Sequence, residues 1–586
     1  MRPYFYFIKT AIIAVFTLIT LSLNAQVKWF NPAKSEFPVI QNQGWSGDTI
    51  STYNRLPNSA KEKILLGVWY QTLNSAGIAI SFYSNSPRIN VRYTLKNKRL
   101  AMEHMPATGV SGVDLYCINQ DGIWDYCVNS YSFKDTVNSV FIQDNKIPCH
   151  QMGFEYRLYL PLYNGVEWLE IGVNEDSYFE FLPKRLEKPF VVYGTSIAHG
   201  GCASRPGMAW TNILNRRMDH PVINLGFSGN GRLETEVLDY ISQIDSRMFI
   251  LDCYPNMEEM DKQEVENRTI NAVKQLREKS SAPILITEHC GFSDEGTNAR
   301  HKEFVKNVNE AAKSAYDKLK EQSIANVYYL SKEELDLDPD SRVDYAHYTD
   351  LGMQQHAYAV EKKAREILHE PIGNLKTTKP VTQRREPYNY EWMKRHQAIL
   401  ALNKTNKPKG VIFGNSITHY WGGLPEGGAR NGAKNWKKIM EKAGFQNMGF
   451  GWDKVENVIW RIYNDELADI NPEKVVLMIG TNNLGGDPDE NIVEGINAII
   501  SAIQVRLPLA KIKVVGIFPR RNDEQKVIDI NKKIEALTKV KGVSYLDIGH
   551  YLVDKNGKVN EKLFSDGLHP NEEGYSLIGK DIADFK

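Results

Sequence analysis

Two short texts in this chain place a serine in the same setting. Val192-Tyr-Gly-Thr-Ser-Ile-Ala-His199 parallels Ile412-Phe-Gly-Asn-Ser-Ile-Thr-His419. Far downstream, Asp344-Tyr-Ala-His347 parallels Asp566-Gly-Leu-His569, and the serine-to-histidine separations are 151 and 153 residues. A serine hydroxyl near neutral pH is a poor nucleophile and needs a base. Histidine suits that role. A carboxylate three residues before it can meet Nδ1, select the tautomer and stabilise the imidazolium. One Asp-x-x-His alone says little; its recurrence at nearly the same distance from a serine says much more. Ser196, His347 and Asp344 are therefore candidate nucleophile, base and orienter, and Ser416, His569 and Asp566 form a second such set. His199 and His419 are the alternative bases, to be weighed against a plain structural role.

Each serine follows an apolar run ending in glycine, PFVVYG before Ser196 and GVIFG before Ser416. Such runs read as buried parallel strands, and open parallel sheets bind ligands outside the C-terminal strand ends. A serine opening a helix there has an N–H with no intrahelical acceptor, a donor for a developing oxyanion. Two further donors follow the next strands. Gly229 in NLGFSGNG lets backbone approach a substrate closely, and Asn256 in DCYPNM can offer its side-chain amide. Turn formation is the other reading of both. Neither serine lies in a G-x-S-x-G, so the nucleophile elbow of α/β-hydrolases is not indicated.

The grammar of the whole chain supplies those strands. From Val27 to about residue 186, runs such as GIAISFYS, INVRYTL, VDLYCI and EWLEIGV are separated by Gly, Asn and Asp, which predicts a β-sandwich over 27–186. From Pro189, short apolar runs alternate with stretches of 3.6-residue periodicity, the pattern of a parallel sheet covered on both faces. A polar connector, 371–407, holds one short amphipathic helix candidate, Tyr390 to Leu402. The strand–helix alternation then restarts over 408–586. The expected fold class is thus multidomain, an N-terminal β-sandwich followed by two α/β/α sandwiches with parallel sheets.

Composition excludes other functions. Lys plus Arg equals Asp plus Glu at 71 each, so no global field steers the chain to nucleic acid or an anionic membrane. Residues 1–25 read as a signal peptide: Arg2 and Lys9 precede a largely apolar run from Ala11 to Leu23, and Ala25 is small. The expected location is secreted or periplasmic, with no stable membrane insertion once the leader is removed. The 6 cysteines all lie in the first half and match no zinc spacing. They read as free thiols, a Cys117–Cys127 bridge being the alternative. No nucleotide loop and no H-E-x-x-H is present, so no metal and no cofactor are expected.

Ser196, Gly229, Asn256 and His347 fall in the order that gives the SGNH hydrolase (GDSL-type esterase) superfamily its letters, and Asp344 matches its Asp-x-x-His block. The chain resembles that family over 188–370 and again over 408–586. The resemblance implies flavodoxin-like α/β/α sandwiches and a metal-free Ser-His-Asp esterase. The second unit is similar to the catalytic subunit of platelet-activating-factor acetylhydrolase through NMGFGWDKVENVIWRI, MIGTNN and SDGLHP. Carried over by position, Asn482 is an oxyanion donor, and the second-strand donor falls at Gly451 or Trp452. This sequence departs from the family there: Trp452 stands where glycine is usual, so its indole either shapes the pocket or displaces the donor. The β module resembles the N-terminal domain of some bacterial SGNH carbohydrate esterases.

The expected activity is hydrolysis of short-chain esters, acetyl above all, on an acylated small molecule or glycan. Two alternatives stay open. One is a lipid esterase or lysophospholipase, against which the lack of a long apolar lid segment counts. The other is a carbohydrate-binding protein with one or both catalytic units inactive, against which the intact Ser, Asn, Asp and His of both units count. Tyr420, Trp421 and Trp452 are candidates for a sugar-stacking platform or for ordinary packing.

Overall fold

Residues 26–143, 152–385 and 390–585 are described by a computed structural model of the chain. The leader at 1–25 and Cys149 lie outside the described residues. Among the described residues no helix is long and apolar enough to cross a membrane.

The N-terminal module packs two antiparallel sheets face to face. One runs in the order Val27–Phe30, Val166–Asn174, Arg88–Leu95, Thr136–Ile142, Asn129–Ser132. The other runs Phe179–Phe181, Ala79–Ser84, Phe154–Tyr159, Asp114–Ile118, Trp124–Tyr126. Ile80, Phe82, Val91, Tyr93, Leu115, Phe141, Tyr156 and Ile171 alternate inward to make one core, as period-two patterning requires. Cys117 and Cys127 adjoin each other there as free, buried thiols, so no bridge spans this hairpin.

Each following unit is a five-stranded parallel sheet. In the first, β1 (Phe190–Gly194), β2 (Val222–Gly226), β3 (Met248–Asp252), β4 (Ile284–Thr287) and β5 (Val327–Leu330) lie in the order 2-1-3-4-5. In the second, β6 (Gly410–Gly414), β7 (Phe445–Gly449), β8 (Lys474–Met478), β9 (Lys511–Val515) and β10 (Ser544–Leu546) repeat that order as 7-6-8-9-10. The first strand of each unit lies inside the sheet, second from one edge, and the chain order reverses beside it. Gly194 is in register with Gly226 and Asp252, and Gly414 with Gly449 and Met478. Loops leaving these aligned ends share one edge, which is why serine, glycine and asparagine far apart in sequence can meet.

Neither α/β unit closes its own core. Leu56, Ala60, Ile64, Val68 and Trp69, all from the N-terminal module, pack among Val191, Tyr193, Ile223 and Leu225 of the first sheet. In the second unit the same place is taken by α1 (Trp392–Thr405), whose Trp392, Met393 and Ile399 join Val411, Phe413, Met448 and Ile459. The polar stretch 371–407 is therefore no free spacer. Several of its charged and amide side chains are buried, each with a partner: Arg384 on Glu155, Gln383 on the Gly451 carbonyl, His396 on Glu466. Pairing offsets the cost of burying these groups.

This integration can be measured. Trp392 is 2% exposed and donates its Nε1–H to Asp453 at 2.8 Å. Trp392→Ala should destabilise the second unit by about 3–5 kcal/mol, read as an earlier thermal transition. An unchanged transition would show that this segment is peripheral to the core.

Candidate active sites

Ser196 opens a single helical turn, Ser196–His199, directly after β1, and Ser416 opens Ser416–His419 after β6. Thr195 and Asn415 cap these turns by accepting the N–H of Ile197 and Ile417. Small side chains are needed there: a Cβ on Gly194 would lie 2.6 Å from that of Ala198, and one on Gly414 would clash with Thr418.

The structure brings each predicted serine to its predicted histidine. Ser196 Oγ is 2.9 Å from His347 Nε2, and His347 Nδ1 is 2.8 Å from Asp344 Oδ2. In the second unit the corresponding distances are 2.7 Å and 2.6 Å, through His569 and Asp566. The three-residue spacing has a physical use in both. Asp344 Oδ1 accepts the N–H groups of Ala346 and His347, while Oδ2 faces the imidazole. Asp566 does the same with Leu568 and His569. Burial opposes the Asp344 charge, but the bonds from the His347 ring and backbone outweigh it and hold the carboxyl below its ordinary value. Asp566 is likewise held low, burial being outweighed by the His569 backbone and ring. With Oδ2 fixed as acceptor, Nδ1 must carry its proton and Nε2 is left to accept one from serine.

His199 and His419 do not approach the nucleophiles as bases. His199 is fully buried, bonded to the Leu162 carbonyl at 2.7 Å and stacked on Tyr163 at 4.2 Å. His419 Nδ1 accepts the N–H of Gly451 at 3.2 Å. That bond corrects one expectation: the Gly451 N–H is already engaged and is not a spare oxyanion donor.

Trp452 is the counterpart of Gly229. Phe227 N–H donates to the Gly194 carbonyl and Phe450 N–H to that of Gly414, so residues 227–230 align with 450–453. Gly229 has φ +69° and Trp452 has φ +62°, so the turn is the same although one residue is glycine. A left-handed conformation costs a bulky residue about 1–2 kcal/mol, and here the surroundings impose it. Tyr390 Oη and Gln383 Nε2 both donate to the Gly451 carbonyl, at 2.7 and 2.9 Å. Asp453 is clamped by Arg461 Nε at 2.9 Å and by the Trp392 indole. The like φ and the like flanking hydrogen bonds give the two loops the same backbone course. A Cβ built on Gly229 meets nothing within 4 Å, and the Trp452 side chain correspondingly leaves residue 452 48% exposed.

The third donor repeats as well. Asn256 Nδ2 donates to the Asn230 carbonyl at 2.5 Å, and Asn482 Nδ2 to the Asp453 carbonyl at 3.0 Å. An amide has two N–H groups; one pins the side chain to the second-strand loop and the other is left for a ligand. Of the aromatic candidates, Trp421 is packing, buried and stacked on Tyr575 at 4.9 Å. Tyr420 lies 5.1 Å from the His569 ring and is buried, so Trp452 alone of the three is exposed.

Sequence reasoning missed the residues that come from outside each unit. Arg55 of the N-terminal module donates to the Gly226 carbonyl at 2.6 Å, and Arg395 of α1 donates to the equivalent Gly449 carbonyl at 2.8 Å. Both are buried behind the loops that carry Gly229 and Trp452. No shared motif marks these two arginines. Asp114 and Tyr116, within Gly112-Val-Asp-Leu-Tyr116, accept from Arg205, and Asp114 also accepts the Gly207 N–H, each at 2.7 Å. This fixes the chain that follows the Ser196 turn. Tyr163 Oη donates to the Ser196 carbonyl at 3.3 Å.

Comparison with known proteins follows the same division. Residues 187–365 and 412–577 each match a description of the GDSL-like lipase/acylhydrolase family. Residues 27–179 match one described as the N-terminus of Esterase_SGNH_hydro-type. Platelet-activating factor acetylhydrolase IB subunit alpha2 of Rattus norvegicus is 30% identical over 199 residues, 33% of this chain and 82% of the relative. The chain belongs to the GDSL-like lipase/acylhydrolase family. The alpha1 subunit of Bos taurus is similar at 27% over 192 residues, 32% of this chain and 78% of that protein. A solved GDSL-like lipase from Bacteroides ovatus is 30% identical, covering 59% of this chain and 98% of its own, with a TM-score of 0.53. The chain is thus a hydrolase acting on esters, built from two GDSL-like units and one N-terminal module.

The Trp452 turn in this hydrolase makes a testable case. With Ser196 replaced by Ala so that only the second site reports, Trp452→Gly should keep turnover of a small acetyl ester within about tenfold. The backbone donor is retained, whereas loss of such a donor costs about 10²–10³. The preference among acyl chains should broaden as the indole is removed. A hundredfold fall on the acetyl ester would show that the indole, not only the N–H, is needed there.

Proposed function

We propose that this hydrolase is an exported esterase that removes short acyl groups, acetyl in particular, from polysaccharides at two separate serines. The observation that carries the reading is the pair of complete relays: serine to histidine at 2.9 and 2.7 Å, histidine to aspartate at 2.8 and 2.6 Å. In each, histidine takes the serine proton as Oγ attacks the ester carbonyl. The serine N–H, the N–H of Gly229 or Trp452, and the free amide N–H of Asn256 or Asn482 receive the oxyanion. Histidine then returns the proton to the leaving alcohol, and water repeats the cycle on the acyl-enzyme. Every group needed is an ordinary side chain or backbone N–H.

The acetyl preference draws on relatives named as acetylhydrolases. The glycan preference draws on the resemblance of 27–186 to modules of carbohydrate esterases, and the leader-like residues 1–25 support export to the periplasm or beyond. A second reading, an amphiphilic ester at Ser416, is favoured by the exposed Trp452 indole beside that site.

Acetate release from acetylated glycans, compared with long-chain p-nitrophenyl esters, tests both. Ser196→Ala and Ser416→Ala should each remove one kinetic component and leave the other; the double variant should fall to background, a loss on the order of 10⁶. Wild-type turnover in the double variant would defeat the assignment.

The pH profile is a separate check. Asp344 and Asp566 are held below the usual carboxylate range, so they stay charged where a histidine protonates. The acid limb of kcat/KM should therefore follow one proton, with rate falling as the base is protonated. A two-proton slope would place a second group in the relay.

A further inference from the structure

His104, Cys202, Asp344 and His347 each present a ligand atom, and these atoms lie within 4.8 Å of one another. No zinc spacing is legible in the sequence because the four come from three separate places. His104 belongs to the N-terminal module, and its ring centroid is 5.7 Å from that of His347. Cys202 follows Ser196 on the turn that Asp114 and Arg205 hold. Asp344 and His347 belong to the proposed relay. Among the described residues this is the one group of this kind.

A second observation singles out Cys202. It is buried and adopts φ +68°, a conformation that glycine takes at no cost. After Ser416 the chain takes another course, with Tyr420 helical at φ −79° where Gly200 of the first unit is left-handed at φ +105°. Strain of that kind persists where surroundings and use require it. The thiol it presents is directed at the one cluster that could employ it.

We propose that the first site binds a zinc ion that inhibits it. This rests on the reading of Ser196, His347 and Asp344 as an acting relay. Two imidazoles, a thiolate and a carboxylate are the donors zinc takes in tetrahedral sites, whereas calcium and magnesium call for oxygen. Bond lengths of about 2.0–2.3 Å put zinc ligands roughly 3.5 Å apart, so the cluster must contract by about 1 Å. His104 is exposed and free to supply most of that movement. As the sulfur–zinc bond forms, the thiol gives its proton to solvent, with no change of oxidation state. The ion then competes with Ser196 and with the Asp344–His347 contact for the base. It silences this serine and leaves Ser416 working, because among the described residues that site has neither the thiol nor a counterpart of His104.

The test uses the full chain without a histidine tag. Titration with Co²⁺, as a spectroscopic stand-in for zinc, should give one thiolate-to-cobalt charge-transfer band per chain. The band should vanish in Cys202→Ser and weaken in His104→Ala. Zinc should inhibit ester turnover in Ser416→Ala, where only the first site reports, and EDTA should reverse it. Adding His104→Ala or Cys202→Ser should raise the inhibiting zinc concentration by at least the 10–100-fold or so that loss of an outer partner costs. Ser196→Ala, which reports the second site, should be unaffected at the same zinc concentration. No thiolate band, a band that persists in Cys202→Ser, or equal zinc sensitivity at the two serines would overturn the proposal. A cobalt band in Ser416→Ala protein that shows no turnover before any metal is added would instead sink the relay reading and leave the metal site standing.

Discussion

Each catalytic arrangement depends on one short contact, the carboxylate that grips its own histidine from three residues away. One oxygen takes two backbone N–H groups and shapes the loop; the other takes Nδ1 and sets the tautomer. The loop is thereby a rigid holder for an imidazole, and the rest of the unit has only to deliver a serine to Nε2. A strand flanked on both sides does that, because Gly194 and Gly414 end in register with both neighbours. The sheet supplies position, the loop supplies orientation, and neither could act alone.

The duplicated units share this scheme but not its supports. Behind each second-strand loop a buried arginine meets the same carbonyl, yet Arg55 arrives from the β module and Arg395 from the connector helix. Below the first site Asp252 Oδ2 faces His356 Nε2 at 3.9 Å with no hydrogen bond between them, and burial pushes the Asp252 carboxyl up to about 7. In the second unit Met478 holds the register position of Asp252. The reacting groups are constrained by chemistry and coincide; the groups behind them are constrained only by packing and charge pairing, and they have diverged.

The contribution of the N-terminal module follows from the same logic. A five-stranded sheet with an uncovered face must bury apolar surface against something. The first unit uses residues 56–69 for this, and the same module thereby brings Tyr163 and His104 to the serine and the base. A covering segment became part of a site because the face it covers adjoins the strand ends where loops converge.

Much of this was legible in the residues themselves. Alternation and apolar runs reveal the strands, since burial on one or two faces imposes those periods. Repeated texts around Ser196 and Ser416, and around His347 and His569, expose both relays because the chemistry demands fixed residue types at fixed local spacing. Tertiary structure alone decided the rest. The Gly451 N–H is spent on His419, and Trp452 adopts the backbone of Gly229, because contacts from residues some 30 to 70 positions away hold that turn. The text of 371–407 reads as a polar connector, but its buried Arg384 and His396 are held by partners, Glu155 and Glu466, that no local pattern identifies. The meeting of His104, Cys202, Asp344 and His347 is invisible in sequence for the same reason: local spacing encodes what one loop can do, and only the packing of separate modules determines which loops share a site.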